Sequence, residues 1–198
     1  LKAAEAVEEA VDRLQSASLR IATGEAKGKI AYNYYAPDLY DPRASVLQAI
    51  GDDGRPFATL VNYAIHPEVI GSGRGICSPD LIGPLYDRIA AAGGGTGIFM
   101  NGAQGGMITA DNRRPEGEAN TWEECVRIGT LLADECLRLV HDAPVQTNPP
   151  LQVVSRDVKF PVESPLMLAV LKASPLGYRT DAGGRVTTRV HLVDGRIF

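Results

Sequence analysis

The run Phe57-Ala58-Thr59-Leu60-Val61-Asn62-Tyr63-Ala64-Ile65 most constrains the fold of this chain. It is nearly continuous in apolar character and too short for a typical helix, so it predicts a strand over 57–65 buried on both faces. Gly51-Asp52-Asp53-Gly54-Arg55-Pro56 precedes it and has hairpin composition, so the alternating run 45–50 becomes its antiparallel partner. On its far side, a glycine-rich loop from His66 to Cys77 leads to Ser78-Pro79-Asp80, which starts a helix over 81–92. Ser78 or Asp80 would cap that helix, and Pro79 suits a first turn. Gly93-Gly94-Gly95 ends it, and a second short buried strand follows over 97–101.

The flanks extend this pattern. Ala4, Val7, Val11 and Leu14 alternate with acidic residues and predict an amphipathic helix over 1–14. A short strand is expected over 19–23, a turn over 24–28 and irregular chain over 30–43. Residues 102–114 form a glycine-rich loop. Thr121 would cap a helix over 122–141 whose apolar side is Val126, Leu131, Ala133, Leu137 and Val140, with Trp122 as a core anchor. Residues 144–150 resemble a linker. A strand over 151–160, a short helix over 165–174, a mobile stretch over 175–186 and a strand over 187–193 with a turn at Asp194-Gly195 complete the chain. Strands alternating with helices predict a single α/β domain over 1–198, a layered mixed sheet with flanking helices. The chain starts without Met and stops just after a turn signal, so it is expected to be a fragment or a processed piece of a longer protein.

Composition narrows the function classes. The 198 residues carry a formal charge of −4, with no overall basic footprint for a nucleic-acid backbone. No apolar run approaches the roughly 18–20 residues of a membrane span, and residues 1–14 lack the pattern of a signal peptide. Cys77, Cys125 and Cys136 form no C-x-x-C pair. On one helix the last two would lie about 16 Å apart, beyond disulfide reach, so all three are expected as small core residues.

Two loops, each following a hydrophobic strand, are where chemistry would gather, because open α/β sheets bind ligands at that edge. The first delivers His66, beside the stiffening Pro67; it would be a metal ligand or general base, or else a loop histidine bonded to backbone. The second is Asn101-Gly102-Ala103-Gln104-Gly105-Gly106-Met107-Ile108-Thr109-Ala110-Asp111-Asn112. Its glycines would let backbone N–H groups approach a carboxylate, phosphate or oxyanion, with Thr109 and Asp111 as polar candidates; a tight loop without ligand is the alternative. It matches neither a Walker loop nor a dinucleotide fingerprint. His141 at a helix end and His191 on a strand have ordinary contexts. With three histidines and no H-E-x-x-H or G-x-S-x-G, the chain supplies part of a catalytic site.

These segments resemble a known family. Asp41-Pro42-Arg43-Ala44-Ser45-Val46-Leu47, then Asp53-Gly54, then Val61-Asn62-Tyr63-Ala64-Ile65-His66-Pro67 is similar to the neutral/alkaline (non-lysosomal) ceramidases. Ser78-Pro79-Asp80-Leu81-Ile82-Gly83 resembles their S-x-D-x-x-G segment, and residues 99–109 resemble their G-A-A-G-D-[IV]-[NS]-P loop. The order and spacings agree over about residues 10–140. The resemblance implies a zinc-dependent amidase that cleaves the N-acyl bond of ceramide or a related lipid amide, by attack of a metal-activated water. It implies one zinc ion held by two His, a Glu and a Tyr, of which His66 would be one and the others would lie outside this chain. Thr109 would be catalytic, where the family has Ser, and Asn101, Gly102, Gln104, Gly105, Gly106 and Asp111 would line the substrate and oxyanion loop. Ala110 stands where the family has Pro, and Met107 where it has Asp or Asn. These departures leave open an inactive relative that binds an anionic small molecule through the glycine loop. The resemblance also implies a secreted or periplasmic location.

Overall fold

The computed structural model describes residues 2–177 and 186–197, and the side chains of all of these except 155–160 and 186–197. Its contacts divide the chain into two units, Leu1–Asn148 and Pro149–Phe198, with the boundary inside the linker-like segment 144–150.

In the first unit the elements run α1 (Lys2–Asp12), β1 (Ser18–Glu25), β2 (Ala31–Asn33), β3 (Arg43–Ile50), β4 (Pro56–Tyr63), α2 (Ile82–Ala91), β5 (Thr96–Asn101), β6 (Ile108–Ala110), β7 (Arg113–Arg114), β8 (Gly117–Glu118) and α3 (Trp122–His141). The main sheet is mixed, in the order β1-β3-β4-β5, with antiparallel pairs β1/β3 and β3/β4 and a parallel pair β4/β5. The β3–β4 hairpin closes as its composition dictates: Gly51 N–H donates to the Arg55 carbonyl (2.9 Å), and Gly54 adopts the left-handed φ of +78° that the turn requires. Parallel neighbours need a crossover, which α2 supplies between β4 and β5. The α/β expectation, a mixed sheet with flanking helices, agrees with this architecture.

The buried core runs from Val46, Val61 and Tyr63 of the sheet to Leu85 and Ile89 of α2 and Ile128, Leu132 and Val140 of α3. The inward stripe of α3 is Cys125, Ile128, Gly129, Leu132, Ala133, Cys136 and Val140, at helical spacing. The expected stripe is right in part: Ala133 and Val140 are buried and Leu131 packs against the core, whereas Val126 is exposed and Trp122, expected as a core anchor, is 48% exposed. Small residues occupy the buried face because α2 approaches it closely. A Cβ on Gly129 would stand 2.2 Å from the Leu81 carbonyl oxygen and 3.0 Å from Leu85 N. Gly129→Ala should cost about 1–3 kcal/mol through this overpacking, despite alanine's better helix propensity. The check is the urea midpoint, and an unchanged or higher midpoint would refute the close approach.

Several strand expectations are corrected. β4 is not buried on both faces: Thr59, Val61 and Tyr63 are buried while Leu60 and Asn62 are half-buried. β5, expected as buried, has no described strand on its outer side, leaving Ile98 and Met100 exposed. An apolar run gives the same pattern at the centre of a sheet as at its edge, and only the neighbours differ. Residues 30–43 and 102–114 are not wholly irregular, because β2 and β6 pair antiparallel, with Tyr32 opposite Thr109. A three-residue strand is too short for any periodicity to announce it. Cys125 and Cys136 are buried as expected, whereas Cys77 is exposed. Helix α1 forms as the pattern predicts and is exposed along its length.

The second unit, by itself, contains β9 (Leu151–Val162), α4 (Pro165–Ala173) and β10 (Val186–Ile197). Ser164 caps α4, with Pro165 in its first turn. β9 and β10 pair antiparallel over their full length. The turn expected at Asp194-Gly195 does not form, because those residues lie in the ladder opposite Val154 and Val153. An Asp-Gly pair makes a hairpin only when the chain returns on itself there, and here the partner strand comes from upstream. The mobile stretch expected over 175–186 falls mostly outside the described residues. Among the described residues no helix is long and apolar enough to cross a membrane.

Candidate functional site

Beyond β4 the chain passes through buried Ala64 and Ile65 and reaches His66, which forms a parallel bridge with Thr109 of β6. The backbone N–H of His66 donates to the Ile108 carbonyl (3.3 Å), and its ring Nδ1 lies 2.5 Å from the same oxygen. A carbonyl only accepts, so Nδ1 carries the proton, and in the neutral ring the lone pair is on Nε2. The same backbone contact that holds the ring therefore leaves one nitrogen able to bind a metal or take a proton.

His66 and Thr109 both line a cleft of about 920 Å³. Its other wall comes from the loop after His66, where Gly71, Gly73 and Gly75 all take left-handed φ values. That loop is pinned by Asp80. The Asp80 carboxylate is buried and accepts from Val69 N (3.0 Å), Ile70 N (2.9 Å) and Leu81 N (2.8 Å), while Ser78 Oγ accepts from Asp80 N. The expectation that Ser78 or Asp80 caps α2 is corrected. Leu81 holds the cap position with no side-chain cap, because the carboxylate is spent on the site loop instead. Burial, reinforced by Asp80, pushes the Cys125 thiol up to about 12, and burial does the same for Cys136, so both are inert as nucleophiles.

The remaining residues proposed from sequence lie away from the cleft lining. Asn101 ends β5, exposed, opposite Tyr63. Gly102 N–H donates to the Tyr63 carbonyl (2.9 Å), and a Cβ there would stand 3.1 Å from Ala64 N. Gln104 Oε1 is buried with no partner among the described residues. Gly105 and Gly106 have open space where a Cβ would project, and the Gly106 carbonyl accepts from Asn33 Nδ2 (2.8 Å). The left-handed residue of this loop is Met107 (φ 68°), which does line the cleft. Asp111 is buried and bound by two 2.8 Å bonds to Arg113. Burial works to raise its carboxyl, but Arg113 and then Lys29 hold it below the ordinary value.

Other residues at this end of the unit were given no individual role from the sequence. Glu68, Arg74, Asn112, Glu118 and Asn120 line the cleft, and Arg74 Nη2 donates to the Asn120 carbonyl (2.6 Å). Most are brought there by the small β7–β8 hairpin, which has too few residues to give a pattern. Glu124 had a readable signal, the Thr121-x-x-Glu124 spacing of a capping box. Thr121 does cap α3, accepting from Glu124 N (3.3 Å). The Glu124 carboxylate, however, turns to Arg127 and Arg114, which hold its carboxyl low against the opposing effect of burial. Arg127 also donates to the Lys29 and Asp111 carbonyls, tying α3 to the β2–β6 pair that carries Thr109.

Among the described residues no group of three His, Cys, Asp or Glu side chains could hold a metal ion. His66 Nε2 is a fitting donor for one, facing the same cleft that Glu68 and Glu118 line.

No family model matches the chain. No curated protein matches it either. Solved structures do. The neutral ceramidase from Pseudomonas aeruginosa aligns with a TM-score of 0.64 at 19% identity, over 78% of this chain and 27% of its own. A ceramidase complexed with C2 aligns with a TM-score of 0.62 at 19% identity, over 76% of this chain and 26% of its own. The chain thus spans about a quarter of the length of each. At this identity the likeness is one of fold, and on it the chain has a ceramidase-like α/β fold.

Proposed function

We propose that this chain is part of a zinc-dependent hydrolase of N-acyl amides, ceramide or a related lipid amide, acting outside the cytosol. The observation that carries the reading is the His66 ring, tied through Nδ1 to the Ile108 carbonyl with Nε2 free, beside Thr109 at a large cleft. The ceramidase-like fold supports the same reading. His66 would supply one metal ligand, the remaining ligands coming from beyond this chain. Bound there, zinc would polarise the acyl carbonyl and lower the pKa of water. The Thr109 hydroxyl would orient the amide, while Asn101, Gly102, Gln104, Gly105, Gly106 and Asp111, away from the cleft lining, would serve by holding the loop that carries Thr109.

Elemental analysis and an N-acyl amide hydrolysis assay on the full-length gene product test this. The expected outcome is about one zinc per protein, hydrolysis lost on chelation, and hydrolysis restored by zinc. No metal and no hydrolysis would instead favour an inactive relative that binds an anion through the glycine loop.

A further inference from the structure

Two asparagines on the wall of the His66 cleft are oriented by a one-way chain of hydrogen bonds. Asn112 is 5% exposed, and its Nδ2 lies 3.3 Å from the Ala119 carbonyl and 2.8 Å from Asn120 Oδ1. A carbonyl only accepts, so Asn112 must turn its amide nitrogen there. That nitrogen also donates to Asn120, which must present its oxygen, and Asn120 Nδ2 is left as the free end. It has no acceptor among the described residues and is not sealed from solvent. A Cβ on Gly71 would stand 3.5 Å from it, so the free donor lies beside Gly71, on the cleft wall.

Arg74 supplies a second donor. It is exposed and lines the same cleft, and its Nη2 donates to the Asn120 carbonyl (2.6 Å). That bond fixes the guanidinium next to Asn120 while its other N–H groups stay open. Glu68 and Glu118 line the cleft too, but among the described residues no carboxylate forms an ion pair with Arg74. A guanidinium stays charged throughout the working pH range, so this one faces the cleft with its charge uncompensated. Tyr34, Ile76 and Met107 add exposed apolar side chains to the lining.

The geometry points to N-acyl amino acids, amides whose amine half bears a carboxylate, as the substrate class of this cleft, with Arg74 and Asn120 Nδ2 holding the carboxylate. The inference rests on the reading of the cleft as a site for N-acyl amides. Arg74 and Asn120 Nδ2 offer donors only, and a carboxylate offers acceptors only. A hydroxyl on the amine half would meet the same donors without the charge-assisted bond to arginine. The acyl chain would lie against Tyr34, Ile76 and Met107. Arg74 and Asn120 set specificity and take no part in bond cleavage.

Calorimetric titration of the metal-free full-length gene product with N-octanoylglycine and with N-octanoylglycinamide is the test. The ligands differ only in carboxylate against neutral carboxamide, and removing the metal keeps it from binding the carboxylate itself. At constant ionic strength the acid is expected to bind about tenfold or more tightly than the amide. Arg74→Met should erase that preference. Asn120→Asp keeps an oxygen for Asn112 Nδ2 but turns the free donor into an anion, so it should erase or invert the preference. The ratio in the unmodified protein answers the question even if a variant folds poorly. No saturable binding of the acid, equal affinities for the two ligands, or a preference that survives in Arg74→Met would each overturn the assignment. Equal affinities would leave zinc-dependent hydrolysis of neutral lipid amides standing, and a protein without zinc or hydrolysis would still give the affinity ratio.

Discussion

His66→Ala in the full-length gene product is expected to remove the bound zinc and to lower N-acyl amide hydrolysis about a thousandfold or more. The magnitude follows from what a metal contributes to acyl transfer, several kcal/mol of charge stabilisation, at about 1.4 kcal/mol per tenfold in rate. Stability should change little by comparison, because His66 sits at the lip of a cleft and its main fixed contact is one backbone carbonyl. The diagnostic is therefore the separation of effects: metal and rate collapse while the unfolding midpoint holds nearly constant. If zinc stayed at full occupancy in the variant, His66 would not be a ligand, whatever happened to the rate. In the metal-free protein, nitrogen NMR should report the Nδ1–H tautomer, because Nδ1 faces a group that can only accept.

The second large effect is expected at Asp80, far less conspicuous in sequence. Asp80→Ala should destabilise the fold by about 3–5 kcal/mol. Its carboxylate serves three backbone N–H groups, those of Val69, Ile70 and Leu81. Each buried donor left without a partner costs about 1–3 kcal/mol, and water entering from the adjoining cleft would recover part of that sum. Alanine also tolerates the left-handed φ of 53° less well than aspartate does. Asp80→Asn keeps that tolerance and one accepting oxygen, so about 1–2 kcal/mol is expected for it. Denaturant melts give the totals, and hydrogen exchange at Val69 and Ile70 locates them. A loss below about 1 kcal/mol in Asp80→Ala, with protection at both amides intact, would mean that other contacts hold the loop. Both variants reach the same cleft by different routes: His66 through the chemistry it would offer, Asp80 by holding the opposite wall in place.

The sequence by itself determined the elements whose signals are local. The hairpin at 51–55, the helix after Pro79, the cap at Thr121 and the exit of β4 into His66 all follow from turn chemistry, capping and apolar runs, which act over a few residues. The family resemblance on residues 41–67, 78–83 and 99–109 likewise pointed to the ceramidase-like fold. The tertiary structure alone decided what depends on distant partners. Whether β5 is central or edge and whether Asp194-Gly195 turns are set by what packs alongside, and no local pattern encodes that. The site divides in the same way. Thr109 could be named from the glycine loop, but its place beside His66 comes from a bridge spanning more than forty positions. Asp80 suggested a helix cap because its neighbours in sequence suggested one. Its carboxylate went instead to the amides of Val69 and Ile70, about ten residues upstream, because the fold buried those donors there without another acceptor.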